Sequence, residues 1–274
     1  MRLRAIPLAF QFLTIIPVKT TGPVSPQDIS DSSIFFPLVG AFQGLLISAC
    51  SFIFLSRFSV DLAGVIIVLL YVLSNGGFHL DGLSDTFDAL SVKSTGNRES
   101  DREKRLKVMK DSTIGSIGVV SLCLALLLKY AFIREILIYS SYFNAYLILS
   151  LMPVLSKWAM VVAMHRTAGA RKDGLGRLFV QNTKAYRLIL ATLATLTLGF
   201  GAFVATSLPG PGTVPSDLLR FALFLLSGMV ILAFFTRFLS RTFERAFGGL
   251  TGDNFGAVHE ISEIVFLAIA CLWK

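Results

Sequence analysis

The chain reads as an all-α, polytopic integral membrane bundle of about seven transmembrane helices in one domain, and three observations predict this. Of its 274 residues, 54% are hydrophobic and 15% are charged. The mean hydropathy is +0.71, more apolar than a soluble domain of this length carries. Windows approaching the ~20 apolar residues that cross a bilayer recur along the chain. Lysine and arginine collect in alternate connections between those windows, the asymmetry of a positive-inside topology.

Met1 to Val18 places Arg2 and Arg4 before a short apolar stretch punctuated by Pro7, Pro17 and Pro23. That pattern suits a half-buried interfacial segment better than a cleaved leader. Spans are expected at about 34–55, 61–78, 115–133, 136–164, 187–207, 218–238 and 256–273. The fourth is longer than it needs to be, and Pro153 is expected to kink or split it. The basic residues test the count. Lys93, Arg98, Arg102, Lys104, Arg105, Lys107 and Lys110 follow the second span, and Arg166, Arg171, Lys172, Arg177 and Lys184 follow the fourth. Arg241 and Arg245 follow the sixth, whereas the intervening connections hold Arg57, Arg134 and, from Ser207 to Asp217, none. Seven spans therefore put the N-terminus and loops at about 79–114, 165–186 and 239–255 in the cytoplasm, and Lys274 outside. Within the first loop, Arg98 to Lys110 has mixed charges at helical spacing and reads as a surface helix. Leu208-Pro209-Gly210-Pro211-Gly212 reads as a turn on the far side.

The net charge of +8 sits in loops between apolar spans and is not interleaved with aromatics on a soluble face. Orientation and contact with membrane lipid headgroups or phosphates account for it; nucleic acid is not an expected partner. Cys50, Cys123 and Cys271 lie singly in apolar segments, so neither a disulfide framework nor a zinc cluster is suggested. His79, His165 and His259 are too scattered for a zinc motif.

The chemistry-bearing segment is His79-Leu80-Asp81-Gly82-Leu83-Ser84-Asp85-Thr86-Phe87-Asp88. At about 100° per residue, Asp85 and Asp88 fall roughly 40° and −20° from Asp81, so one helix face carries all three carboxylates. Stacked like charges are costly unless a cation or shared proton offsets them, and hard oxygen donors suit Mg²⁺ or Mn²⁺. Turn chemistry at Asp-Gly with a solvated cap is the plainer reading. Downstream, Ser112 or Thr113 in Met109-Lys110-Asp111-Ser112-Thr113-Ile114-Gly115-Ser116-Ile117-Gly118 is placed to cap the third span, whose N-terminus would face an anion. Simple capping with small-residue packing competes. In Leu250 to Glu263, Asp253 and Glu260 again share a face, with Gly256 opening space beside them, and two acidic faces would converge on one or two divalent ions. Hydrogen bonding between helices is the alternative there. His165 to Arg177 supplies cations suited to phosphate, or simply a topogenic loop. Lys157, inside a span, must snorkel, pair with an acid or meet an anionic substrate. Acids for a metal, basic loops for phosphate and a membrane setting together suggest transfer at phosphorus or ionisation of a diphosphate.

Gly76-Gly77-Phe78-His79-Leu80-Asp81-Gly82-Leu83-Ser84-Asp85-Thr86-Phe87-Asp88, Met109-Lys110-Asp111-Ser112-Thr113-Ile114-Gly115 and Leu250-Thr251-Gly252-Asp253-Asn254-Phe255-Gly256-Ala257 resemble the signatures of the cobalamin synthase (adenosylcobinamide-GDP ribazoletransferase) family. Phe12-Leu13-Thr14-Ile15-Ile16-Pro17, Phe36-Pro37-Leu38-Val39-Gly40 and Gly174-Leu175-Gly176 support the match in order. The resemblance implies a Mg²⁺-dependent transferase of the bacterial inner membrane with its site facing the cytoplasm. It would join adenosylcobinamide-GDP to α-ribazole or its 5′-phosphate and release GMP, with room for a homo-oligomer. On that reading Asp81, Asp85 and Asp111 are catalytic, and Asp81, Asp85, Asp88, Asp253 and Glu260 form the metal set. His79, Lys110, Arg166, Arg171 and Asn254 would contact substrate. Lys157 stands where the family pattern often carries Arg, and is left unassigned.

Two rivals remain. A CDP-alcohol phosphotransferase motif also begins Asp-Gly, but its Ala-Arg pair and later Gly-x-x-x-Asp-x-x-x-Asp do not follow Asp81. A cation-coupled transporter would use intramembrane acids, yet should show inverted repeats and acids near mid-membrane; none of the former is visible, and the acids here gather at one boundary.

Overall fold

The computed structural model describes residues 4–20, 22–171, 174–207 and 215–273; the turn expected at 208–212 lies outside them. The described residues form helices α1 (Ala5–Leu13), α2 (Pro26–Ser32), α3 (Phe36–Leu55), α4 (Val60–Ser74), α5 (Phe78–Leu90), α6 (Arg98–Val108), α7 (Ser116–Tyr139), α8 (Tyr142–Met164), α9 (Leu175–Asn182), α10 (Ala185–Ser207), α11 (Pro215–Phe247) and α12 (Gly252–Leu272). A 3₁₀ turn, Ser33–Phe35, joins α2 to α3. Among these residues there is no strand, only an isolated parallel bridge between Gly169 and Leu250. Six helical segments are long and apolar enough to cross a bilayer: Pro26–Leu55, α7, α8, α10, α11 and α12. The bent pair α4 and α5 brings the number to seven if it counts as one span. Leu45, Phe52, Leu127, Leu193 and Phe234 point outward, as side chains do where lipid replaces water.

The α4–α5 break corrects the picture of a straight span running into a carboxylate loop. The two helices meet at 88°. Gly76 and Gly77 both take left-handed φ, +66° and +73°, which only glycine adopts without strain. Their amides close back onto Leu73 and Val72, and Gly77 also donates to the Asn75 side chain. The carboxylates therefore ride on a helix turned across the end of the bundle. The segment expected as a loop after the sixth span is likewise largely helical, since α11 runs on to Phe247.

Helix α8 is the pillar of the bundle, nearly all of it buried. Helix α3 lies directly on it because Gly40 and Gly44 carry no Cβ: one added at Gly40 would come within 2.7 Å of the Val154 Cα, and one at Gly44 within 2.9 Å of the Ser150 backbone. Small residues four apart allow such backbone approach in membranes. Pro153 removes one backbone hydrogen bond, yet α8 continues through it unbroken. In the N-terminal segment Ala5, Leu8, Ala9 and Leu13 are buried on one side of α1.

A candidate active site at one end of the bundle

The site begins with a helix crossing. On α5, Gly82 faces the Asp253 backbone, where a Cβ would sit 2.7 Å from the carbonyl oxygen. Opposite it, Gly256 of α12 abuts the His79 carbonyl and the Gly82 Cα. Two glycines thus let α5 and α12 touch backbone to backbone. Asn254 fixes the crossing: it completes a capping box with Thr251 at the start of α12 and donates to the Thr86 hydroxyl at 3.1 Å. It is fully buried, so the structure gives it a structural task where the sequence suggested a substrate contact.

The crossing gathers acids from both helices. Asp81 is exposed, and Asp85 and Asp253 are half-buried. Asp85 lies in the field of Asp81, Asp253, Asp88 and Arg171. Arg171 bonds Asp253 at 3.3 Å, while neither Asp81 nor Asp85 has an ion pair among the described residues. Arg171 is carried there by its loop, where the Leu250 amide donates to Ala168 and the Ala170 amide donates back to Leu250. A Cβ at Gly249 would collide with that loop's backbone.

Asp88 departs from the expected metal set. Its two oxygens accept from the amides of Gly115 and Gly118, both at 2.7 Å. An anion at the start of α7 was expected; the protein supplies it from its own α5. Ser112 and Thr113 are not the caps, because α7 begins at Gly115 with no side-chain cap of its own. A Cβ at Gly115 or Gly118 would strike the Asp88 carboxylate. Asp111 is exposed in the turn before α7, its carboxylate accepting from the Thr113 hydroxyl and amide, which hold it below the ordinary carboxylate range. Lys110 is exposed nearby. Arg166 is also exposed, with a left-handed φ of +58°.

Glu260 sits apart from the open acids, one per cent exposed and 2.5 Å from Lys129 of α7. Lys129 also holds Glu263 at 2.5 Å. Glu263 further takes Ser156 at 3.1 Å, His259 at 3.0 Å and the Tyr71 hydroxyl. His79, His259 and Glu260 bring ligand atoms within 4.8 Å of one another. Lys129 already engages that glutamate, and Lys157 lies over the nearby Tyr71 ring, so a further cation there meets repulsion. The Lys157 Nζ is buried without a hydrogen-bond partner; it neither snorkels nor pairs. Lys129 was missed in sequence, although a lone lysine inside an apolar span between two acid-bearing segments was a readable sign.

Two pockets lie near the acids, one lined by Asp253 itself and one by its partner Arg171. One, of about 390 Å³, is lined by Arg102, Arg171 and Arg177. Arg102 reaches it from α6, donating to the Ala170 carbonyl at 2.9 Å and lying against Gly248, whose φ of +74° leaves no room for a side chain. Sequence reading singled out Arg171, placed Arg177 only within the same cationic segment and left Arg102 on a surface helix; the tertiary fold brings the three together. The other pocket, of about 270 Å³, is apolar and has Asp81 and Asp253 on its wall.

The donor set fits Mg²⁺: hard carboxylate oxygens from two rigid helices, with one arginine against three acids. Fold and site together define a helical membrane enzyme with a metal-type acidic cluster beside an arginine pocket. The chain belongs to the CobS, cobalamin-5-phosphate synthase, family, whose profile matches residues 5–271. It is 35% identical over 260 residues to the adenosylcobinamide-GDP ribazoletransferase of Thermodesulfovibrio yellowstonii, covering 95% of this chain and 93% of that protein. The enzymes of the same name from Geotalea daltonii and Fusobacterium nucleatum are 32% and 34% identical, covering 97% and 95% of this chain and 96% and 94% of theirs. No solved structure matches. The chain is thus a transferase of cobalamin biosynthesis built as an integral membrane protein.

Proposed function

We propose that this chain moves the cobinamide-bearing phosphoryl group of adenosylcobinamide-GDP onto a ribose hydroxyl of α-ribazole or its 5′-phosphate. The hydroxyl oxygen forms the new P–O bond, the bridging P–O bond of the diphosphate breaks, and GMP leaves with that electron pair. Asp81, Asp85 and Asp253 would hold Mg²⁺, which when bound offsets charge on phosphate oxygens. The carboxylate cluster accepts the hydroxyl proton. Arg102, Arg171 and Arg177 take the nucleotide phosphate, where guanidinium forks suit it. On this reading Asp88 orders α7, Asp111 orders its own turn, and Glu260 belongs to the buried network.

The observation that carries the proposal is the meeting of three acids from α5 and α12 with an arginine pocket, tied by the Arg171–Asp253 contact. Such sites work by positioning and charge compensation more than by covalent chemistry. The loops holding the lysines and arginines lie at this same end, which supports a site on the cytoplasmic face of a bacterial inner membrane.

The test uses purified protein in liposomes with adenosylcobinamide-GDP, α-ribazole 5′-phosphate and Mg²⁺, followed by chromatography. A new corrinoid and GMP in equal amounts, both lost on chelation and restored by Mg²⁺, is the expected result. No product from folded protein with either ribazole form, Mn²⁺ also tried, would overturn it.

A further inference from the structure

The pocket lined by Asp81 and Asp253 has no lysine or arginine among its lining residues. It is walled by Phe12, Phe36, Phe78, Phe179, Met160 and Met164, and closed by the glycines Gly176, Gly252 and Gly256. Its rings are set edge to face: Phe179 lies 5.5 Å from Phe12 and 5.6 Å from Phe36. Only three polar residues line it, Asp81 and Asp253 of the open acidic cluster and His79. His79 is 5% exposed, and its Nδ1 is buried with no hydrogen-bond partner. A volume of about 270 Å³ falls just below the ~300–1,000 Å³ that takes a whole drug-sized ligand. The space suits a flat ring system of two fused rings and is too small for a macrocycle.

We infer that this pocket receives the bicyclic aromatic base of the ribazole acceptor, stacked among the phenylalanines and thioethers, with the His79 imidazole on its wall bonded to the base's unsubstituted ring nitrogen. The inference rests on the proposed transferase reaction and adds to it the seat of the acceptor. Flat apolar rings find edge and face partners among Phe and sulfur among Met. A base held there carries its ribose toward Asp81 and Asp253, at the edge of the acidic cluster. The donor's nucleotide would occupy the separate arginine pocket, joined to Asp253 through Arg171. His79 acts as a specificity residue in this arrangement, because a buried polar atom left unpaired disfavours a ring lacking the matching nitrogen.

Steady-state kinetics on the full chain in liposomes test this, varying donor and acceptor separately. Phe78 is exposed, so Phe78→Ala leaves the packing of the bundle largely alone. It should raise the acceptor KM roughly tenfold while the donor KM stays within about twofold. Phe179→Leu should act in the same direction. The second arm compares the benzimidazole acceptor with an indole riboside 5′-phosphate, which has the same shape without the free nitrogen. Wild type should prefer benzimidazole by about tenfold, and His79→Phe should erase that preference by weakening benzimidazole alone. A rise in donor KM, or an unchanged acceptor KM in Phe78→Ala and Phe179→Leu, would overturn the assignment while leaving the transferase reaction standing. A preference for benzimidazole that survives in active His79→Phe protein would remove His79 from it. Wild type that releases no GMP with any acceptor refutes the reaction itself, and this seat with it.

Discussion

Two acidic regions share helix α12, and they are built in opposite ways. At the open end, Asp81, Asp85 and Asp253 face solvent or a pocket mouth, with one arginine against them. Deeper in the bundle, Glu260 and Glu263 are almost wholly buried and share Lys129, and His259, Tyr71 and Ser156 gather on Glu263 Oε1. A carboxylate in a bilayer interior is costly unless paired and hydrogen-bonded, and the deep pair meets that condition from within the protein. The open cluster has only Arg171 from within the protein and is otherwise left to water, or, on the proposed reading, to Mg²⁺. Acid content alone therefore says little about function; what distinguishes a site is charge that the fold leaves unmatched.

The largest effect should come from breaking the deep region. Lys129→Met leaves two buried carboxylates without their cation, and removing one partner of a buried pair costs about 3–5 kcal/mol. We expect a large fall in the thermal midpoint and in the yield of folded protein. Adding Glu260→Gln and Glu263→Gln to the same chain should recover most of the midpoint, since the uncompensated charge is then gone. A triple variant no more stable than Lys129→Met would mean that the lysine contributes packing and not charge balance.

Sequence patterning reached the spans, because hydropathy is a property of each helix by itself, and it reached Asp81, Asp85, Asp253 and Arg171, because they stand in compact motifs. It did not separate Asp88 from its helical neighbours. Helical phase places Asp88 with Asp81 and Asp85, but the choice between metal and α7 depends on which glycines lie opposite, and Gly115 and Gly118 are remote in sequence. Asn254 is similar: its motif position suggested substrate, and only the fold shows that it also closes a capping box and reaches the Thr86 hydroxyl. Arg102 was legible as one charge among many on a surface helix. Its role emerges only when Gly248 lets α6 approach the loop bearing Arg171.

The open cluster can be divided by the same comparison. Asp81→Asn and Asp253→Asn should each lower GMP release by on the order of 10²–10³-fold and raise the Mg²⁺ concentration needed for half-maximal rate, with the thermal midpoint nearly unchanged. Asp88→Asn should do the reverse. Losing a carboxylate at a helix N-terminus costs roughly 1–2 kcal/mol, so its midpoint should drop while its Mg²⁺ requirement stays as in wild type. If Asp88→Asn instead shifted the Mg²⁺ requirement as Asp81→Asn does, the three acids of α5 would act as one metal set, as their helical phase first implied.

The smallest effect concerns an acid in neither region. Asp101, in the first turn of α6, accepts from the Ser94 hydroxyl at 2.5 Å and from the Thr95 hydroxyl and amide at 2.7 Å. These hydrogen bonds favour the ionised form and bring its pKa from 3.8 down to about 2. A folded-state pKa below the unfolded value means that the contribution is present above about pH 4 and fades as pH falls toward about 2. The midpoint difference between wild type and Asp101→Asn should therefore be visible near pH 6 and shrink steadily on acidification, as the wild-type carboxyl becomes neutral like the amide. A difference that does not vary with pH would assign the effect to shape instead of charge. Asp101 is neutral toward catalysis on this account, with GMP release at pH 7 unchanged, because its charge is answered by its own loop as those of Glu260 and Glu263 are answered by Lys129. At the α5–α12 crossing three acids meet one arginine, and that surplus is what the proposed Mg²⁺ would answer.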